Sequence, residues 1–148
     1  MSDRRTFLKR GSLCLAAWLA TMRWRPSWAK TVPAGSLDQA LAAAIGRRRL
    51  LQAPAGELKL EVPDIAENGA IVPVTVESSL PAVDEILLLV EKNPTPLAAR
   101  FRFERSMDPY ASLRIKMNES CDVLAVVRSG QDYYVTRKAV KVMVGGCG

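Results

Sequence analysis

A chain of 148 residues has room for at most one ordinary domain. It contains no histidine, which excludes Cys-His and Ser-His-Asp catalysis within the chain. Its formal net charge of +6 points to a nucleic-acid partner only until that charge is located along the sequence.

Much of the charge sits at the start. Arg4, Arg5, Lys9 and Arg10 precede a mostly apolar run from Gly11 to Met22, and Pro26-Ser27-Trp28-Ala29 follows. A basic head, about a dozen apolar residues and small residues at a cleavage point describe an export signal over residues 1–29, too short to span a membrane. The Arg4-Arg5 pair with Phe7-Leu8 behind it reads as the twin-arginine type, so the expected location is the periplasm. An N-terminal anchor is the other reading, disfavoured by the short run and by Arg23 and Arg25 after it. Lipid attachment at Cys14 is disfavoured because Leu13 stands where a small residue is wanted. Of 21 basic and 15 acidic residues, six basic and one acidic fall in this segment, leaving 15 against 14 and a net charge of +1. A nucleic-acid partner loses its support, and no stable membrane insertion is expected. Cys14 leaves with the signal, so Cys121 and Cys147 remain in an oxidising compartment.

Residues 30–56 read as a linker and a short helix. Ser36 can cap a helix over Leu37 to Ile45, with Leu37, Leu41, Ala44 and Ile45 on one face and Gly46 as its stop. Arg47, Arg48 and Arg49 then form a basic turn, solvated rather than a binding patch.

From Glu57 the pattern changes to period two. Leu58, Leu60 and Val62 alternate with polar residues, as do Val72, Val74 and Val76, then Phe101 and Phe103, then Leu113, Ile115 and Met117. Ile86 to Val90 is continuously apolar, as a strand covered on both faces would be. Asp122 to Arg128, Tyr133 to Thr136 and Val140 to Val144 add further β-rich runs. Asn68-Gly69, Leu80-Pro81, Asn93-Pro94-Thr95-Pro96, Asp108-Pro109 and Ser129-Gly130 punctuate them as turns. Seven or so short strands at this spacing predict an all-β, antiparallel two-sheet sandwich over residues 57–144. About ninety residues bury only a modest core, so a partner covering an edge or face would add stability.

The last residues, 145–148, are Gly145, Gly146, Cys147 and Gly148. Glycine has no side chain to pack and ranges widely in φ and ψ, so a flexible arm bearing one thiol is expected. From Val144 the arm reaches about 10 Å, or about 17 Å if residues 142–144 also peel away. Such a reach suits a thiol that enters another protein's channel, whereas a catalytic nucleophile is held rigidly. The Gly148 carboxylate raises the thiol's pKa, so the sulfur is sluggish unless a partner activates it. Neither a metal-ligand spacing nor a phosphate loop occurs, and no cofactor is expected. Other fates for the thiol are a Cys121–Cys147 disulfide within a non-catalytic binding or assembly module, or an intermolecular Cys147 pair. A thiol-disulfide enzyme is disfavoured because no Cys-x-x-Cys occurs.

Two stretches resemble a known family. Pro63-Asp64-Ile65-Ala66-Glu67-Asn68-Gly69-Ala70-Ile71-Val72-Pro73-Val74-Thr75-Val76 is similar to its strand-turn-strand, and Val144-Gly145-Gly146-Cys147-Gly148 to its tail. With the twin-arginine signal and the Lys92-Asn93-Pro94 turn, they resemble the SoxY family of the periplasmic Sox thiosulfate-oxidising system. The resemblance covers about Ser36 to Gly148. It implies an immunoglobulin-like sandwich that is not itself an enzyme. Cys147 would carry sulfur covalently, first as a cysteine S-thiosulfonate and then as a persulfide. The implied partners are a SoxZ-type subunit in a heterodimer, a c-type cytochrome, a dimanganese hydrolase and in some systems a sulfane dehydrogenase. The family tail commonly has two glycines after the cysteine, where this chain has one. Asn68-Gly69 is expected to supply positive φ in its turn.

Overall fold

A computed structural model describes residues 35–143. The export signal with Arg4 and Arg5, and the arm with Gly145, Gly146, Cys147 and Gly148, lie outside the described residues.

Helix α1 (Leu37–Ile45) starts at a capping box. Gln39 N–H donates to Ser36 Oγ and Ser36 N–H to Gln39 Oε1, both at 3.3 Å, which satisfies two otherwise orphaned donors. Gly46, at φ 66°, ends the helix with its N–H on Ala42 O at 2.9 Å. Arg47, Arg48 and Arg49 follow as an exposed turn, with the Arg48 guanidinium 6.0 Å from the centre of the Tyr133 ring.

Nine strands follow: β1 (Leu50–Gln52), β2 (Leu58–Glu61), β3 (Ile65–Ala66), β4 (Val72–Ser78), β5 (Val83–Val90), β6 (Leu97–Arg102), β7 (Tyr110–Ile115), β8 (Cys121–Ser129) and β9 (Asp132–Val142). They build a larger sheet in the order β1-β9-β8-β5-β6, with β3 also on β9, and a smaller one in the order β2-β4-β7. Between the sheets Val72, Val74 and Val76 meet Ile86, Leu88, Val90, Val123, Ala125 and Val127 in one buried cluster. The other face of β5 and β8 supplies Leu87, Leu89, Leu124 and Val126 to a second cluster, closed by Ala40 and by Leu37, Leu41, Ala44 and Ile45 of α1. The expected helix face therefore packs on the sheet, and the apolar run Ile86–Val90 is buried on both faces. Each such side chain contributes roughly 1.5–3 kcal/mol of burial.

One carboxylate enters this apolar frame. Glu85 is buried; Tyr133 Oη donates to it at 3.0 Å, and the Arg100 and Arg102 guanidinium groups stand 3.6 and 3.7 Å away. A buried charge without such partners would cost several kcal/mol. Burial, and then this hydrogen bond to Glu85, push the Tyr133 phenol above its ordinary pKa.

The sandwich forms as the alternation predicts, with three differences. Tyr133–Thr136 and Val140–Val142 are one strand, β9, rather than two runs. β1 and β3, too short to show a period, pair with β9 in parallel, while every other pairing is antiparallel. Asn68 and Gly69 do not adopt positive φ; among the described residues Ala82 (φ 50°) is the one non-glycine that does. Asn68 instead accepts Ala70 N–H on its side chain at 2.9 Å, a local turn that needs no left-handed residue.

Candidate functional site at the root of the C-terminal arm

The described residues include β9, the strand that precedes Cys147 in the sequence, and a set of contacts at its end. β9 has β8 on one side and two short parallel strands on the other: Leu50–Gln52 beside Tyr133–Val135, and Ile65–Ala66 beside Lys141–Val142. At its last residues the backbone is tied from both sides. Val142 N–H donates to Ser120 Oγ at 2.9 Å, Lys141 N–H to Asp64 O at 2.9 Å and Met143 N–H to Ala66 O at 2.9 Å. Freeing Val142 and Met143 would give up two of these bonds, each worth about 1 kcal/mol net. Met143 is the last residue tied in this way among the described residues, and Cys147 follows it by four positions in the sequence, about 13 Å if extended.

The Asp64–Ala70 stretch, singled out in the sequence as a turn, is the collar of this root. Ala66 is buried and supplies the acceptor for Met143. Gly69 passes so close to its neighbours that a Cβ there would lie 2.5 Å from Met117 O and 2.8 Å from Val142 Cγ1. Its carbonyl accepts Met117 N–H at 2.7 Å. Glycine is required here for close approach, not for positive φ. Lys138, half exposed, reaches across to Val62 O at 2.8 Å and to the Asp64 carboxylate at 3.0 Å. Its charge is therefore engaged at the collar. Ile65 and Met143, more than half and half exposed, leave apolar surface at the root.

A shallow hollow of about 370 Å³ beside the root is lined by Asp64, Ser120, Cys121, Asp122, Ala139, Val140 and Lys141. Cys121 is buried in the sandwich core as a free thiol opposite Val140. Burial pushes its pKa up, away from the thiolate form that reacts. Among the described residues no three His, Cys, Asp or Glu side chains converge as a metal site. No helix among them is long and apolar enough to cross a membrane. Sequence reasoning noted Lys138 only as a cation near the tail, and missed Ser120 and the reason for Gly69. The glycine was visible, whereas its two close neighbours come from β9 and the β7–β8 loop.

The sequence profile of the family described as sulfur oxidation protein SoxY matches residues 41–147, from inside α1 through the tail cysteine. The chain belongs to the SoxY family. Among solved structures, it is similar to the sulfur carrier protein SoxY from Chlorobium limicola f thiosulfatophilum, at 35% identity and a TM-score of 0.67. That match covers 74% of this chain and 97% of the other. A superoxide reductase (neelaredoxin) from Ignicoccus hospitalis matches at 20% identity and a TM-score of 0.52, covering 73% of this chain and 94% of its own. At that identity the likeness shows the shared sandwich alone. A search of curated proteins returned no match. Within the SoxY frame, the collar is the part of the family strand-turn-strand that touches the end of β9.

Proposed function

We propose that this SoxY-family chain is a covalent sulfur carrier, with Cys147 as the attachment point and Gly145, Gly146 and Gly148 as its mobile setting. The observation that carries the reading is the joining of a firmly tied strand end to a thiol four residues beyond it, in a chain with no histidine to activate that thiol. A scaffold of this kind holds sulfur out for other proteins to act upon. The similarity to a sulfur carrier protein supports the same reading.

In the proposed cycle the Cys147 thiolate joins the outer sulfur of thiosulfate, forming an S–S bond and a cysteine S-thiosulfonate. The two electrons released pass to a c-type cytochrome partner. Water then attacks the terminal sulfonate sulfur at a dimanganese hydrolase; sulfate leaves with two protons, and a persulfide stays on Cys147. A sulfane dehydrogenase can consume that sulfur. A SoxZ-type subunit is the constant partner, and the twin-arginine signal with Arg4 and Arg5 delivers the folded chain to the periplasm. No cofactor belongs to the carrier itself.

Intact-mass measurement after incubation with thiosulfate and the partner enzymes tests this directly. Thiosulfonate and persulfide adducts are expected on Cys147 alone. Thiosulfate-dependent electron transfer supported by Cys147→Ser protein would overturn the proposal, as would a uniform Cys121–Cys147 disulfide in the purified chain.

A further inference from the structure

The side of the sandwich away from β9 is unfinished. β6 ends the larger sheet and β7 ends the smaller one. β2 lies against β9, where Lys138 bonds to Val62 just beyond it, so β7, at the other end of its sheet, stands on the side of β6. Among the described residues neither outer edge has a strand paired to it. Between these edges Phe101, Phe103 and Leu113 pack on the core yet stay partly exposed. Met107 and Tyr110, at the entry to β7, are 57% and 54% exposed. Open six-residue edges beside exposed aromatic surface are what proteins ordinarily blunt or cover.

The charge on this side is not neutral. Residues 97–116 carry Arg100, Arg102, Arg105, Arg114 and Lys116 against Glu104 and Asp108, five basic to two acidic. The rest of the described chain carries nine basic to twelve acidic. Arg100 and Arg102 are engaged by Glu85, whereas Arg105, Arg114 and Lys116 form no ion pair among the described residues. Two copies meeting through this side would set like charges against each other, which disfavours a symmetric homodimer. An apolar strip with a basic rim and an open edge fits a different protein.

We infer that the β6–β7 side is the seat of a partner protein that presents an exposed β-strand edge flanked by carboxylates, and that this strand pairs with β7. Main-chain hydrogen bonds to β7 supply affinity, and the carboxylates on Arg105, Arg114 and Lys116 supply orientation and speed of encounter. β7 is the better edge because the basic groups beside it are uncommitted. The partner is taken as the SoxZ-type subunit, so the inference rests on the heterodimer proposed above; it is independent of what Cys147 carries.

The test uses the full chain with the SoxZ-type subunit, measuring Kd at two salt concentrations and amide hydrogen exchange in the free and bound chain. Expected are protection of Tyr110–Ile115 on binding, a Kd raised at least tenfold by Arg105→Glu with Arg114→Glu, and weaker binding at high salt. The same reversal at Arg47 and Arg49, beside α1, serves as the control and should change Kd less than twofold. Because Arg105 and Arg114 are exposed and unpaired, unchanged melting of the double variant separates lost binding from lost folding. A complex that protects other residues overturns the inference while the heterodimer stands. Absence of any complex overturns both. Concentration-dependent self-association that buries Tyr110–Ile115 assigns the surface to a second copy and also overturns it.

Discussion

Along β9 the larger sheet is closed by two short parallel strands, a lysine bridge and a hydroxyl clasp. On the β6–β7 side both sheets stop at open edges with aromatic residues half in view. The closed side is the one from which the thiol-bearing tail departs. Hydrogen bonds are thus concentrated at the strand end that precedes Cys147, as the proposed carrier role requires, while the β6 and β7 edges are unpaired among the described residues. A partner seated there is separated from the arm root by the width of the sheet, so both could be engaged at once.

Perturbing the closed side should lower the stability of the isolated chain, and the sizes can be ranked. Gly69→Ala forces a methyl against Met117 O and Val142. The expected cost is about 2 kcal/mol, seen as a fall of roughly 10 °C in Tm. A Tm unchanged within a degree would show that the collar yields and does not fix the root. Lys138→Met removes the bond to Val62 O and the ion pair with Asp64. About 1 kcal/mol in urea unfolding is expected, with faster exchange of the Lys141 and Met143 amides. Ser120→Ala takes away the acceptor for Val142 N–H, for about 0.5–1 kcal/mol, detected as faster exchange at that single amide.

Two further tests reach beyond the edges. Cys121 and Tyr133 both have pKa values raised by burial, so the folded chain holds these protons to higher pH than the unfolded chain. The stability this contributes is complete below the unfolded values and is lost as pH rises through the folded ones. Urea unfolding should give a level profile up to about pH 9, then a decline. Alkylation at pH 8 should reach Cys147 in the folded chain and Cys121 only after denaturation. The smallest effect is a gain: Ala82→Gly relieves the positive φ in the turn before β5 and should add about 0.5 kcal/mol in the same urea assay.

Most of the sandwich was legible because strands with one face in the core alternate, and β4 shows this in Val72, Pro73, Val74, Thr75 and Val76. β5 was legible as a doubly covered strand because both faces are apolar, whereas β8 was legible only as a β-rich run. β1 and β3 were not, since three and two residues hold no period and their pairing is decided by the exposed edge of β9. Gly69 was noticed for the wrong reason: Asn-Gly is a local hairpin signal, but this glycine answers to Val142 and Met117, far away in sequence. The reading of Cys147 rests on the sequence alone, since it lies outside the described residues, and the open β6 and β7 edges emerged only once the sheet orders showed which strands end them.

Consider finally what a tug on the tail does. If a partner drew on the tail as the proposed function requires, a pull along the axis of β9 would meet its ladders. With β8 antiparallel on one flank and β1 and β3 parallel on the other, the ladder bonds run across that pull. They are loaded in shear, many together, rather than unzipped one after another. In the proposed carrier role the end of β9 would serve as a mechanical anchor, since its flanking ladders resist a pull along the strand.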